Sequence, residues 1–186
     1  MVLLINACVR KDSRTKRLAD FLLNQLDQKV NEINLSQINF PKADEDFILH
    51  RTDLIEEGLY SDPLFDLAKE FAAAEIIVIA APFWDLSFPA IVKQYFEQIC
   101  IQGITFHYDE NGVPKGLCKA KKLYYVTTSG GFIHSDLFGY GYVKTLAQTF
   151  FGIDDCVSIT AEGLDIDGAD VEEIIKEAME RVKNYI

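Results

Sequence analysis

The feature that most constrains the fold is an uninterrupted apolar run, EIIVIAA, at Glu75–Ala81. A strand with one face in water alternates apolar and polar residues, whereas a run without alternation is typical of a strand covered on both faces. The run is also far shorter than the ~18 residues that a membrane-spanning helix needs. It therefore predicts a parallel sheet enclosed between two layers of helices.

Similar short runs alternate with amphipathic stretches along the whole chain. The predicted strands are Val2–Asn6, Lys29–Leu35, Glu75–Ala81, Lys122–Thr128 and Val157–Thr160. The predicted helices are Arg17–Gln28, Pro63–Ala74, Pro89–Ile101, Tyr142–Phe151 and Ala169–Tyr185. Five strands alternating with five helices predict a doubly wound α/β fold, with a five-stranded parallel sheet in three α/β/α layers, and one domain over residues 1–186.

Two segments fall outside this alternation. Residues 36–61 carry six acidic side chains against two basic ones and are poorly periodic, and a connection of that length in a compact domain is typical of a binding loop or lid. The second segment, Gly103–Lys121, contains an extended stretch at Thr105–Tyr108 followed by Asn111-Gly112, the dipeptide favoured in tight hairpin turns. It predicts a small hairpin that projects from the main sheet.

Composition excludes several classes of protein. The 18 Lys and Arg against 29 Asp and Glu give a net charge of −11, which argues against binding to nucleic acid or to an anionic membrane. Four cysteines without a C-x-x-C pair, and only three histidines, exclude a zinc finger and a disulfide scaffold and leave no predicted metal site. With no signal pattern at its start, the chain is predicted to be cytoplasmic, with small molecules or proteins as partners.

The loop after the first strand concentrates positive charge. Residues 10–17 hold five basic side chains and one acid, and no glycine precedes Gly58, which excludes a Rossmann or Walker A loop here. Cations at a helix N-terminus oppose the helix dipole at a cost of about 0.3–1 kcal/mol each, and a bound phosphate would reverse that effect. Ser13 and Thr15 would add hydroxyl groups to such a phosphate site. The alternative is a solvated charged run in which Asp12 or Ser13 caps the helix.

Two further loops follow strands, where ligands bind in α/β sheets. The third strand is followed by Phe83, Trp84 and Phe88, which could stack on a planar ligand or pack under the hairpin. The fourth strand leads into Gly130-Gly131, where backbone could approach a ligand closely or simply turn. A hydrolase triad of Ser129, His134 and Asp136 is disfavoured, because no G-x-S-x-G motif is present.

Three loop signatures together resemble one family. They are NAC…DSRT from Asn6, IAAPFWDL…PAIVKQYFE from Ile79, and GITFHYDENG…VTTSGG from Gly103. In order and spacing they are similar to the FMN-dependent NADH-azoreductases and NAD(P)H:quinone oxidoreductases, which have the flavodoxin-like fold. The resemblance covers nearly the whole chain, and its specific part is the stretch from Ile79 to Gly131.

The resemblance implies a set of binding residues and no catalytic residue in the narrow sense. Ser13, Arg14 and Thr15 would hold the FMN phosphate, and Cys8 would take a position where the family usually has Ser. The ribityl chain and isoalloxazine would be lined by Phe83, Trp84, Asp85 and Leu86, with Pro82 also in the cofactor site. The pyrimidine or dimethylbenzene side of the ring would be contacted by Thr128, Ser129, Gly130 and Gly131. Phe106 and Tyr108 of the hairpin would border the substrate.

The resemblance also implies an activity. A homodimer with two sites at the subunit interface would transfer two electrons from NADH or NADPH through FMN to a small-molecule acceptor, a quinone or azo compound, with ping-pong kinetics. Two residues depart from the family: Asp85 stands where Asn is usual, and Ser129 where Arg is frequent. A carboxylate near the flavin would disfavour its anionic reduced form.

Two other functions would also use FMN. A flavodoxin-type electron carrier would expose its flavin edge and need no substrate pocket, whereas residues 36–61 and 103–121 could enclose one. A flavin reductase would use FMN as a diffusible substrate.

Overall fold

A five-stranded parallel sheet forms the centre of the computed structural model, which describes all residues from Met1 to Ile186. The strands of the chain are β1 (Val2–Asn6), β2 (Val30–Asn34), β3 (Ile76–Ala80), β4 (Phe106–Tyr108), β5 (Pro114–Gly116), β6 (Lys122–Thr128) and β7 (Asp155–Ala161). The helices are α1 (Arg14–Leu26), α2 (Glu45–Glu56), α3 (Asp66–Ala73), α4 (Ala90–Ile99), α5 (Tyr140–Leu146) and α6 (Val171–Val182). The main sheet has the order β2-β1-β3-β6-β7. The predicted fold class is confirmed.

Each face of the sheet carries its own core. Alternate residues of β3 point to opposite sides, so that Ile77 and Ile79 belong to a cluster of 26 buried residues and Val78 and Ala80 to one of 17. The larger cluster includes side chains of α3, α4 and α5, and the smaller one includes side chains of α1 and α6. The unalternating run at Glu75–Ala81 is therefore covered on both faces, as predicted.

Segment 36–61 contains a helix, so the prediction of one long irregular connection is wrong. Leu54 is the only buried residue of helix α2, which explains why no clear periodicity is visible in the sequence. Its start is specified by capping instead: Asp44 accepts a hydrogen bond from the Phe47 N–H at 3.1 Å, and two acidic residues occupy the first turn. The chain thus has six α-helices where five were predicted.

The predicted hairpin is confirmed. Strands β4 and β5 pair antiparallel, and Gly112 in the connecting turn has a φ of +74°. The hairpin packs on a π-helical turn, Ala147–Phe151, that follows α5. The Phe106 and Phe150 rings meet edge to face with centroids 4.8 Å apart, and Gly116 lies directly against the backbone of Phe151 and Gly152.

The order of the strands determines where a ligand can bind. Strand β1 lies between β2 and β3, so the chain leaves β1 toward one side of the sheet and returns on the other. The loops after β1 and β3 diverge at this point and leave a crevice at the carboxyl ends of the strands.

Candidate functional site

A cavity of about 380 Å³ occupies this crevice. Its volume is within the range of roughly 300–1,000 Å³ that is usual for small-molecule sites. The loops after β1, β3, β6 and β7 all contribute to its wall. The lining residues are Cys8, Val9, Arg10, Asp12, Ser13, Arg14, Thr15, Pro82, Phe83, Trp84, Thr128, Ser129, Gly130, Leu164 and Asp165.

The N-terminus of α1 forms one end of the cavity. The helix begins at Arg14, three residues earlier than predicted, because the Ser13 hydroxyl caps it by accepting a hydrogen bond from the Lys16 N–H at 3.2 Å. The backbone N–H groups of Arg14 and Thr15 have no acceptor within the protein. The buried Thr15 hydroxyl lies 2.6 Å from that of Thr128, which ties the helix to the end of β6. This end of the cavity can therefore offer two free N–H donors to an anion.

Most of the cations of this loop have carboxylate partners. Arg14 Nη1 lies 2.7 Å from Asp165 Oδ1, and Lys16 Nζ lies 2.5 Å from Asp20 Oδ1. Arg17 contacts both carboxylate oxygens of Glu172 at 2.8 and 2.6 Å. The charge run is thus explained in part by ion pairs within the chain, while Arg10 and Lys11 are exposed without such a partner. A phosphate is not required to account for all five cations.

Cys8 is buried at the floor of the cavity. Its N–H donates to Asn6 Oδ1 at 2.9 Å, and its Sγ lies 3.7 Å from the Ala80 carbonyl oxygen. Burial raises the pKa of the Cys8 thiol, an effect larger than the opposing influence of Ser13. A protonated thiol is a poor nucleophile, so Cys8 contributes to the shape of the cavity and not to covalent chemistry.

The loop after β3 makes a tight turn beside the cavity. Trp84 and Ser87 exchange two backbone hydrogen bonds of 2.8 Å, and the two residues between them, Asp85 and Leu86, have φ angles of +50° and +67°. Both values are in the left-handed region, as a type I′ turn requires. Asp85 is exposed and does not cap α4, whose first turn has no side-chain cap.

The aromatic residues of this loop lie in two different surroundings. Phe83 and Trp84 line the cavity, and the Trp84 side chain remains 40% exposed. Phe88 is partly buried against Phe96 and Tyr142, with ring centroids 5.9 and 5.6 Å apart, and so does not pack under the hairpin as one of the two predicted roles required. Asp85 and Leu86 lie outside the cavity wall, and Asp85 borders a neighbouring groove with Trp84.

The glycine turn after β6 forms the other wall of the cavity. The Ser129 hydroxyl donates to the Gly131 carbonyl at 2.5 Å, and Gly130 packs against the Asp165 carboxylate. A Cβ at Gly130 would lie 2.4 Å from Asp165 Oδ2, so a larger residue here would displace the Asp165 side chain. Gly131 does not line the cavity.

The predicted binding set omits five wall residues: Val9, Arg10 and Asp12 after β1, and Leu164 and Asp165 after β7. The N–H groups of Leu164 and Asp165 donate to the carbonyls of Ser129 and Gly130 at 3.2 and 2.9 Å. Ligands bind at the carboxyl ends of strands in such sheets, which pointed to the loop after β7. The loop itself carries no sequence motif that would have singled out these residues.

The residues of the disfavoured hydrolase triad are not assembled. Ser129 directs its hydroxyl to Gly131, whereas His134 and Asp136 line a separate cavity of about 330 Å³ with Tyr125 and Thr127. No hydrogen bond joins Ser129 to a histidine, so the arrangement cannot activate that hydroxyl.

The two segments expected to enclose the site lie away from the cavity. No residue of 36–61 or of the hairpin contributes to its wall. Phe106 is 7% exposed and packed against Phe150, and Tyr108 is 48% exposed with its ring edge to face with that of Phe106 at 5.4 Å. Within one chain, these segments therefore enclose no substrate pocket over the cavity.

The chain is also similar to known proteins in sequence and in structure. A family model described as flavodoxin-like fold matches residues 1–186. The chain belongs to the flavodoxin-like family. The resemblance seen in the sequence is thereby confirmed.

Curated relatives within the flavodoxin-like family are similar over nearly their full lengths. The chain is 36% identical to the FMN-dependent NADH:quinone oxidoreductase of Lachnoclostridium phytofermentans, with 97% of this chain and 94% of the relative aligned. It is 37% identical to the FMN-dependent NADH:quinone oxidoreductase 2 of Clostridium acetobutylicum, with 92% and 89% aligned.

Solved structures of the flavodoxin-like family share the fold. An azoreductase from Bacillus anthracis str. Sterne superposes with a TM-score of 0.83 at 23% identity, covering 98% of this chain and 96% of that one. An FMN-dependent NADH-azoreductase from Bacillus anthracis str. Ames Ancestor, crystallised in complex with FMN, gives 0.82 at 22% identity, with 98% and 95% covered.

Two other features are absent from the structure. No cluster of three or more His, Cys, Asp or Glu side chains is placed to hold a metal ion. None of the helices has the length and apolar character needed to cross a lipid bilayer.

Proposed function

We propose that this protein is an FMN-dependent NAD(P)H oxidoreductase that transfers two electrons to quinone or azo acceptors. The observation that carries the proposal is the cavity at the switch point of the sheet, which joins free helix N–H donors at one end to aromatic and glycine residues at the other. The names of the full-length relatives, FMN-dependent NADH:quinone oxidoreductases, support the same chemistry.

The residues of the cavity fit FMN in both polarity and shape. The free N–H groups of Arg14 and Thr15, with the Ser13 hydroxyl beside them, suit the phosphate. Phe83 and Trp84 suit a planar ring, and Gly130 presents backbone without a side chain. Cys8, Pro82, Thr128 and Ser129 would complete the contacts.

The flavin itself supplies the hydride chemistry when it is bound. The tasks left to the chain are to bind, to orient and to limit access of water, and no side chain of the cavity is arranged as an acid–base pair. In our proposal NADH or NADPH and the acceptor use one exposed face in turn, which gives ping-pong kinetics. The names of the relatives support NADH, and the use of NADPH stays a prediction, as does a cytoplasmic location.

We further propose a homodimer that completes each site. Around the cavity and the hairpin the chain exposes large apolar side chains, among them Leu86 at 60%, Phe138 at 60% and Tyr108 at 48%. A second copy would cover such a surface and could bring its hairpin, with Phe106 and Tyr108, to the cavity of the first. This arrangement would supply the substrate space that a single chain does not enclose.

Steady-state oxidation of NADH with menadione, with and without added FMN, tests the proposal. Protein that has been freed of loose flavin should reduce menadione directly and should gain little from added FMN. An electron carrier would show no turnover with NADH alone as donor. A rate that depends on the concentration of free FMN would identify a flavin reductase instead.

A further inference from the structure

We propose that Asp165 binds the hydroxyl groups of the flavin's ribityl chain. The inference rests on the proposed function, because it assumes that FMN occupies the cavity. Asp165 lies in the loop after β7, and it lines the cavity between Arg14 on one side and Gly130 on the other.

The two oxygens of this carboxylate have different surroundings. Oδ1 accepts a hydrogen bond from Arg14 Nη1 at 2.7 Å, at the end of the cavity formed by α1. Oδ2 has no donor within the protein and lies over Gly130, so close that a Cβ there would be 2.4 Å away. The backbone of Asp165 is anchored beside the glycine turn, since its N–H donates to the Gly130 carbonyl at 2.9 Å.

The position of Asp165 corresponds to the middle of FMN. Arg14 belongs to the end that suits the phosphate, and Gly130 belongs to the turn that suits the ring. The ribityl chain joins phosphate to ring and carries hydroxyl donors but no charge. A free carboxylate oxygen is an acceptor for such donors, and hydrogen bonds to an ionised acceptor are stronger than neutral ones.

A purely structural role for Asp165 predicts a different result. If Asp165 only orients Arg14, its loss weakens the binding of flavins that carry a phosphate and leaves the affinity for riboflavin unchanged. If the Asp165 carboxylate mainly repels the phosphate, removing Asp165 would instead tighten the binding of FMN. Three flavins separate these possibilities: FMN, riboflavin, and an FMN analogue whose phosphoalkyl chain carries no hydroxyl groups.

The experiment measures the affinity of apoprotein variants for each flavin by quenching of flavin fluorescence. Asp165→Ala should weaken the binding of both FMN and riboflavin by about tenfold or more, because one charge-assisted hydrogen bond contributes an effect of that size. It should not weaken the analogue without hydroxyls. Asp167→Asn, an exposed change in the same loop, should alter none of the three, and Arg14→Gln should weaken FMN more than riboflavin.

Several outcomes would overturn the inference. Weaker binding of FMN and of the phosphate-bearing analogue, with riboflavin unchanged, would assign Asp165 to the positioning of Arg14, and equal weakening of all three flavins would indicate general damage to the cavity. Unchanged or tighter binding of FMN and riboflavin would exclude a ribityl contact. A wild-type protein that binds none of the flavins would instead refute the proposed function.

Discussion

At the scale of single residues, Asp85 is where this chain departs most from the family it resembles. The residue is exposed in the turn after Trp84 and has no hydrogen-bonded partner for its carboxylate. A negative charge beside a flavin opposes the charge that the ring gains on reduction. The effect is modest, because interactions between exposed charges are strongly screened.

Asp85→Asn should therefore raise the flavin midpoint potential without abolishing the binding of FMN. A shift of roughly 10–30 mV is expected, since 30 mV in a two-electron couple corresponds to ~1.4 kcal/mol. A redox titration of both proteins at one pH measures it. Equal potentials would show that Asp85 does not tune the cofactor.

Leu86 occupies the other left-handed position of the same turn, which is unfavourable for a residue with a Cβ. Leu86→Gly should raise the free energy of unfolding by up to about 1 kcal/mol. Glycine relieves ~1–2 kcal/mol of strain at a left-handed backbone position, which exceeds the ~0.5–1 kcal/mol entropic cost of glycine. Leu137→Gly is the matched control: Leu137 is equally exposed but has no positive φ, so this change should destabilise slightly. Denaturant unfolding measures the stability of both variants. A loss of stability in Leu86→Gly would contradict the claim that Leu86 is strained.

Individual residues of the site were predictable in type but not in pairing. Ser13 and Thr15 could be placed at a helix start from sequence, because their hydroxyls stand beside the first turn. The ion pair of Arg14 with Asp165 joins residues 151 apart, and no local pattern encodes it. The phosphate was thus inferred from an excess of charge that ion pairs within the chain partly balance.

At the scale of elements, the hairpin and the π-helical turn form one packed unit. Gly116 of β5 is so close to Phe151 and Gly152 that an added Cβ would lie 2.1 Å from their backbone atoms. Backbone cannot move aside as a flexible side chain can, so the contact requires glycine.

Gly116→Ala should lower the free energy of unfolding by about 2–3 kcal/mol through overpacking. Gly131→Ala offers a control, because no atom lies within 4 Å of a Cβ there, and it should cost much less. Thermal denaturation of the two variants gives the comparison. Similar stabilities would show that the hairpin is not held by this contact.

Elements were predictable where periodicity or turn chemistry was strong. Strand β3 and the hairpin turn at Asn111-Gly112 are of this kind. Helix α2 was missed because Leu54 is its only buried residue, although its cap at Asp44 was visible in the sequence. The π-helical turn leaves no periodic signal, since it shifts the register within one continuous helical stretch.

At the scale of the whole molecule, alternation of strands and helices was enough to predict the doubly wound sheet. It was not enough to predict how segment 36–61 and the hairpin lie relative to the cavity, because that depends on long-range packing. The exposed apolar surface near the cavity can be buried only by another molecule.

Sedimentation at micromolar concentration should therefore give a mass near twice 21.0 kDa. The expected dimer rests on the family resemblance and on the apolar surface that a second copy would cover. A fully active protein that sediments at 21.0 kDa would exclude a site shared between subunits and would favour the electron carrier.

The most direct test of the central claim is a titration of the apoprotein with FMN and with riboflavin. The free N–H groups at the start of α1 should bind the phosphate of FMN, which riboflavin lacks. Binding of FMN should therefore saturate at about one molecule per chain, and FMN should bind at least tenfold more tightly than riboflavin. Equal affinities for the two flavins, or no saturable binding of FMN, would contradict the account.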